Sequence, residues 1–289
     1  MSTVAEQPDA PIVDAHHHVW SLDDVPQPWI REDMSAIRRD FSIEDYRADT
    51  AGSHVTRSII VQTVASFRET LGLLRLSSTN DVVRGVIGWV DLTDADVAGA
   101  IVQLRESAGG ERLVGIRALV ESEPDPGWLL RPDVQRGLQS VAAAGLVFDL
   151  LVTPPQLAAA AQVAELVPDL YLVLDHLGKP PLATGDLHGW SADLRSLATH
   201  HNVVAKLSGL VTEASWAEWT AADLEPAVTV ALEAFGPDRL LFGSDWPVCR
   251  LAADYSTVVD SARYLLRTLA PAERQRVLSD NASAVYSLT

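Results

Sequence analysis

The feature that most restricts how this chain can fold is an alternation. Short runs rich in Val, Ile and Leu are separated by longer segments with apolar residues every three or four positions. The runs are IVDAHHH from Ile12, RSIIVQT from Arg57, GVIGWVDL from Gly85, VGIRAL from Val114, LVFDLLV from Leu146, LYLVLDH from Leu170, NVVAKLSG from Asn202 and RLLFGSDW from Arg239. Their length and near-continuous apolar character fit strands buried on both faces. Between them, ETLGLLRLSSTNDVV, DADVAGAIVQLRESA, DVQRGLQSVAAAG, PPQLAAAAQVAELV, SADLRSLATHH and LEPAVTVALEAFG carry helical spacing. Cap-competent Thr and Asp open TDADVAGA, and glycine closes AAAG and EAFG. Two further helical stretches, DYSTVVDSARYLLRTL and PAERQRVLSDNASAVY, follow the last strand.

Eight strands alternating with helices predict a (β/α)8 barrel. The competing architecture, a doubly wound open sheet, usually shows a Gly-rich turn after its first strand, and this chain has HHHVW there. The 289 residues suit one such domain over 1–289, with 1–11 as an N-terminal tail. Trp20 to Arg47 contains prolines and no clear strand, so it reads as a long first loop over the barrel mouth.

The formal charge is −17, spread along the chain. Such a surface repels nucleic acid and anionic lipid, so neither is an expected partner. The single cysteine, Cys249, excludes an internal disulfide and fits a reducing compartment. No apolar run is long enough to span a bilayer, and MSTVAEQPDAP lacks the basic and apolar regions of a signal peptide. A cytoplasmic protein is expected; a homo-oligomer is compatible with the sequence.

Polar residues recur at one end of the strands. His16 and His18 fall near the end of the first, Gln62 the second, Asp91 the third, Asp175 and His176 the sixth, Ser244 and Asp245 the eighth; Arg117, Asp149 and Lys206 lie on strands four, five and seven. In a barrel these ends converge on one pocket. Side chains alternate along a strand, so His16 and His18 share a face and His17 opposes them. An H-x-H pair alone is a weak signal. Asp245 strengthens it, because the eighth strand closes against the first, and two histidines with a carboxylate suit a divalent ion such as zinc. Gln62, Arg117 and Lys206 are candidates for substrate contact, each with a structural alternative: a loop anchor, an ion-pair partner, a buried charge seeking a carboxylate. Trp20 and Trp246 follow the ligand candidates and are expected to wall the pocket, whereas Trp89 reads as barrel packing. Cys249 reads as a small packed residue.

DAHHHVW, GVIGWVDL, VGIR, LDHLGKP, AKLSGL and DRLLFGSDWPVC, in this order, resemble the amidohydrolase superfamily from about Ile12 to Tyr286. LDHLGKP with AKLSGL is similar to its lactonase branch, whose members open sugar-derived and pyrone lactones. The resemblance implies a distorted barrel and hydrolysis of an ester-like bond. It maps the first-strand histidines onto His16 and His18, the sixth-strand histidine onto His176 and the eighth-strand aspartate onto Asp245. Binuclear members carry a bridging lysine on strand four, where this chain has Arg117, so one divalent metal ion, or none, is implied.

The expected activity is opening of a sugar-derived lactone. Asp245 acts as general base, His176 supports the developing oxyanion, and His16 and His18 polarise water or carbonyl with or without metal. The alternatives are a metal-dependent decarboxylase of an aromatic or unsaturated acid, and a barrel that binds a small molecule without catalysis.

Overall fold

The computed structural model describes residues 10–288; most of the tail expected over 1–11 lies outside them. Eight parallel strands pair in sequence order: β1 Ile12–His17, β2 Val55–Val61, β3 Val83–Gly88, β4 Leu113–Ala118, β5 Val147–Leu150, β6 Leu172–Leu174, β7 Val203–Leu207 and β8 Leu240–Phe242. The ring closes where the backbone N–H of Asp245 donates to the His16 carbonyl at 2.8 Å and that of His18 to the Trp246 carbonyl at 2.6 Å. The architecture is the expected barrel.

The helices are α1 Ile43–Asp49, α2 Phe67–Ser78, α3 Val97–Glu106, α4 Pro132–Ala143, α5 Leu157–Leu166, α6 His188–Ala198, α7 Leu210–Glu213, α8 Ala221–Phe235, α9 Tyr255–Leu265, α10 Pro271–Gln275 and α11 Asn281–Val285. Their starts follow cap chemistry. Asp96 accepts from the Gly99 N–H at 2.9 Å to open α3, and Thr220 forms a capping box with Asp223 ahead of α8. α8 stops at Gly236, whose φ of +68° is cheap only for glycine. The last helical stretch is not one helix, because a π-helical turn over Arg276–Asp280 separates α10 from α11.

Burial divides into two layers. Val13, Ala15, Ile59, Val61, Ile87, Val147, Val173, Val204 and Leu241 fill the barrel, with Tyr286 and Leu288 entering the same cluster from the C-terminal segment. A larger layer joins the outer strand faces to the helices. Two residues beyond Val147, Val173 and Val204 on the same strand faces come Asp149, Asp175 and Lys206. The barrel interior therefore changes from apolar to ionic within one strand period.

Some expected elements end early. GVIGWVDL leaves the sheet after Gly88, and Trp89 is half-buried in the following loop rather than packed in the barrel. Asp91 is exposed and accepts from Thr93 in a turn. The first loop carries a 3-10 turn over Glu32–Ile37 and all of α1, and is tied by reciprocal backbone bonds between Trp20 and Phe41 at 3.0 and 2.9 Å.

Gly243 stands where β8 meets β1. A Cβ there would lie 2.8 Å from the His16 Cβ and 3.1 Å from the Ser208 Cβ. Gly243→Ala is expected to destabilise the protein by about 1–3 kcal/mol through overpacking. Urea unfolding checks this; an unchanged midpoint would contradict the packing account.

Candidate active site

Simple strand alternation does not explain why the histidine pair faces inward. Val13 and Ala15 belong to the inner core, and strict alternation from them would send His17 inward and His16 outward. The β1–β2 ladder shifts register between Asp14 and His17. That irregularity re-aims the side chains after it. His17 turns outward, stacks on Tyr46 with 3.9 Å between ring centroids, and meets Ser58 Oγ at 3.0 Å. Burial drives its pKa down to about 3. His16 and His18 turn inward.

Asp245 and His176 are placed by unusual backbone. Their φ values are +57° and +53°, in the left-handed region, and Lys179 follows at +54°. Such positions cost energy for non-glycine residues and persist only when their surroundings fix them. Around Asp245 the fixing groups include Asp14, a residue the sequence did not single out. Its carboxylate accepts from the Ser244 N–H at 2.8 Å, the Ser244 hydroxyl at 2.6 Å, and the hydroxyls of Tyr46 and Tyr255 at 3.0 and 3.1 Å. It clasps β8 to β1 beside the site. His176 is held by Ser208, whose Oγ lies 2.9 Å from Nδ1. Gly209 follows with φ +64°, and a Cβ there would come within 2.4 Å of that same nitrogen.

Below the histidines lies a fully buried ionic layer. Lys206 Nζ bonds Asp149 Oδ2, lies 3.0 Å from Asp175 Oδ1 and 3.2 Å from His16 Nδ1. Arg117 bonds Asp175 at 3.0 Å and the Gln62 carbonyl. The Gln62 amide donates back to the Arg117 carbonyl at 3.1 Å. Tyr286 donates to Asp149 at 3.1 Å from the apolar side. Burial raises the Asp149 pKa to about 6, against the pull of Lys206. Burial also opposes ionisation of Asp175, but Lys206, His16 and Arg117 overcome it and hold that carboxyl well below the ordinary range. His16 is kept neutral, mainly by burial.

The donor set passes a test for a divalent cation. His18 Nδ1 faces the Val61 carbonyl at 2.7 Å and so carries the proton, leaving Nε2 as a lone pair. His16 Nδ1 faces Asp175 Oδ1 at 3.2 Å. In the tautomer with its proton on Nδ1, beside the ionised Asp175, His16 offers a lone pair at Nε2, where the donor Arg117 Nη1 also lies at 3.5 Å; this is the usual arrangement behind a metal-bound imidazole. The two Nε2 atoms stand 3.2 Å apart, and Asp245 Oδ1 lies 3.4 Å from His18 and 3.7 Å from His16. A tetrahedral ion with bonds of about 2.0–2.1 Å spaces its ligands about 3.3–3.4 Å apart. Ligand atoms of His16, His176 and Asp245 also fall within 4.8 Å of one another. Asp245 suits ligand or base: burial opposes its charge, but His176, His18 and Lys179 outweigh this and lower its pKa.

These groups open onto a cavity of about 370 Å³, lined by His18, Arg117, His176 and Asp245 together with Trp29, Glu121, Lys179, Glu213 and Trp216. A larger cleft of about 690 Å³, between the first loop and α2, holds none of the convergent histidines or Asp245. Four residues expected to meet substrate do not line the 370 Å³ cavity. Lys206 and Gln62 are fully buried and serve the ionic layer. Trp246 is fully buried against Phe41 and Tyr46, and donates to Asp49 at 2.8 Å. Trp20 lines the other cleft and donates to the Arg39 carbonyl at 2.7 Å. Cys249 is buried, as expected of a packed residue. Glu121, Lys179 and Glu213 were missed by the sequence reading. Of these only Lys179 carried a signal, through its place in LDHLGKP.

The amidohydrolase family model matches residues 13–288. The chain belongs to this family. It is 36% identical over 283 residues to the L-fucono-1,5-lactonase of Burkholderia ambifaria, covering 96% of this chain and 95% of that protein. A zinc-bound crystal structure of an amidohydrolase from Burkholderia multivorans superimposes with a TM-score of 0.91 at 36% identity, covering 97% of this chain and all of that one. A probable 2-pyrone-4,6-dicarboxylic acid hydrolase from Acinetobacter baumannii shares the fold at 18% identity, with a TM-score of 0.76 over 96% of this chain and 99% of its own. Among the described residues no helix is long and apolar enough to cross a membrane.

Lys206→Met removes the cation between two buried carboxylates. It is expected to cost about 3–5 kcal/mol, the usual penalty for breaking a buried pair. Denaturant unfolding reads this directly, and a loss below about 1 kcal/mol would mean that the ionic layer is dispensable.

Proposed function

We propose that this protein hydrolyses a small sugar-derived lactone, acting on the ring ester. The observation that carries the reading is Asp245, a buried carboxylate held ionised within 3.4 Å of His18 and 3.7 Å of His16, at the edge of the cavity. The full-length similarity to an L-fucono-1,5-lactonase supports a hexose-derived 1,5-lactone as substrate.

The chemistry follows from the groups present. Asp245 accepts a proton from water held beside the histidine pair, and the oxygen attacks the ring carbonyl. His176, turned by Ser208 so that its free nitrogen faces the cavity, donates to the carbonyl oxygen as negative charge develops. Burial lowers the His176 pKa from the ordinary 6.5, against the pull of Asp245 and Asp175, and favours the neutral hydrogen-bond donor. The ring C–O bond then breaks, and protonated Asp245 returns the proton to the leaving alkoxide. Water and lactone give one hydroxy acid.

We assign a single divalent ion, zinc, to His16, His18 and Asp245. When bound, it polarises water and lowers its pKa toward about 7. Two imidazole nitrogens and one carboxylate oxygen suit zinc, and the Burkholderia multivorans relative binds it. Arg117 occupies the strand-four position and donates to Asp175, which supports one ion rather than two. With its lone cysteine buried and unpaired, the protein suits the reducing cytoplasm. The decarboxylase and non-catalytic alternatives gain no specific support from the site.

Three results test this reading. Proton release from a panel of aldonolactones, followed with a pH indicator, should be enzyme-dependent, with no CO2 formed. Asp245→Asn should lower kcat/KM by about 10²–10⁴-fold while the thermal midpoint shows a folded protein; a variant with most of its activity would exclude Asp245 as base. Dialysis against a chelator should remove most turnover and added zinc should restore it, with metal content read independently by elemental analysis. Full activity in metal-free protein would exclude the assigned ion.

A further inference from the structure

The cavity wall carries three cations, and each is already matched. Arg31 holds Asp33 with two bonds at 3.1 and 2.9 Å. Arg117 is only 3% exposed; its guanidinium goes to Asp175 and the Gln62 carbonyl, and its remaining Nε–H, though without a partner, is buried out of a ligand's reach. Lys179 bonds Glu121 Oε2 and lies 4.0 Å from Glu213 Oε1. Among the described residues, each arginine and lysine on this wall already has a carboxylate partner.

The matched groups nevertheless remain in reach of a ligand. Side chains of Lys179, Glu121 and Glu213 are 24, 28 and 26% exposed. Each carboxylate has lone pairs beyond those facing Lys179, and these accept hydrogen bonds from hydroxyl groups. Trp29 and Trp216 line the same cavity. Their indole N–H groups are already committed, to Gln27 at 2.7 Å and to the Thr212 carbonyl at 2.9 Å. What the two rings offer a ligand is therefore carbon surface, suited to the C–H face of a sugar ring. Lys179 is also tied to the catalytic turn, its N–H donating to the His176 carbonyl at 2.9 Å.

We propose that Glu121, Lys179 and Glu213 form a hydroxyl-binding wall that admits uncharged polyhydroxylated lactones and turns away lactones bearing a carboxylate. The inference rests on the lactonase reading and narrows its substrate class. A substrate carboxylate would be desolvated beside Glu121 and Glu213 with no unpaired side-chain cation to meet it, an uncompensated cost. The −17 charge of the whole chain adds to the exclusion at long range. A hydroxyl at the same point gains a charge-assisted hydrogen bond instead.

The test compares two ligands that differ at one carbon: L-galactono-1,4-lactone, with CH2OH, and the matching galactaro-1,4-lactone, with carboxylate. Affinities are measured by calorimetry in the Asp245→Asn background, where turnover is suppressed, with and without Glu121→Gln and Glu213→Gln. The parent should bind the neutral lactone at least about tenfold more tightly, the worth of one hydrogen bond to a charged group. Replacing both carboxylates should weaken the neutral ligand and bring the ratio below about threefold, and Glu121→Gln alone should move it in the same direction if the double variant does not fold. Equal affinities in the parent, binding of neither ligand, or a ratio unmoved by the Gln substitutions would overturn the proposal. The lactonase reading fails differently: the neutral lactone would bind, yet wild-type protein would hydrolyse neither it nor L-fucono-1,5-lactone.

Discussion

The arrangement depends on one buried ammonium group. Lys206 has no exposed side-chain surface, and its nitrogen is shared between Asp149 and Asp175. An isolated ion in such a place would cost several kcal/mol, so the carboxylates on β5 and β6 are a condition for Lys206 on β7. Arg117 on β4 then balances Asp175, and the four groups together are formally neutral. His16 on β1 rests against this neutral set through Nδ1. Five strands thereby fix one imidazole, and the orientation of its other nitrogen follows.

The ionic layer also separates two jobs of the barrel interior. Below it, aliphatic side chains with Tyr286 form an apolar plug. Above it, the strands end and the chain enters conformations that regular strands avoid. Left-handed His176 and Asp245 stand at those ends. Their geometry is held by neighbours on other strands: Ser208 for one, and the Asp14–Ser244 clasp for the other. The strained positions stand at the mouth of the cavity, and hydrogen bonds from neighbouring strands keep them in place.

The barrel was legible because strands buried on both faces leave apolar runs, and helices between them leave helical spacing. The His16–His18 face was legible because alternation holds across three residues. The irregularity before it was not, since nothing in VDAHH marks where a ladder shifts. Trp20 and Trp246 were expected at the pocket because each lies next to a ligand or base in sequence. At Trp246 the left-handed turn of Asp245 breaks that inference, and at Trp20 the pairing with Phe41 does. Gln62 and Lys206 sit on the right strands, but burial alone decides whether a polar residue there meets substrate or a neighbour. Glu121 and Glu213 come from loops, where sequence periodicity carries no positional information, and only the folded chain brings them to Lys179.

The seam between β1 and β8 has a consequence for synthesis. Asp14 and Ser244 are 230 positions apart in the chain, and Tyr286 is 137 positions beyond the Asp149 it supports. His16 and His18 are therefore made long before Asp245, and the three groups meet only when β8 closes against β1. Anything that needs Asp245 together with the two histidines must wait for that closure.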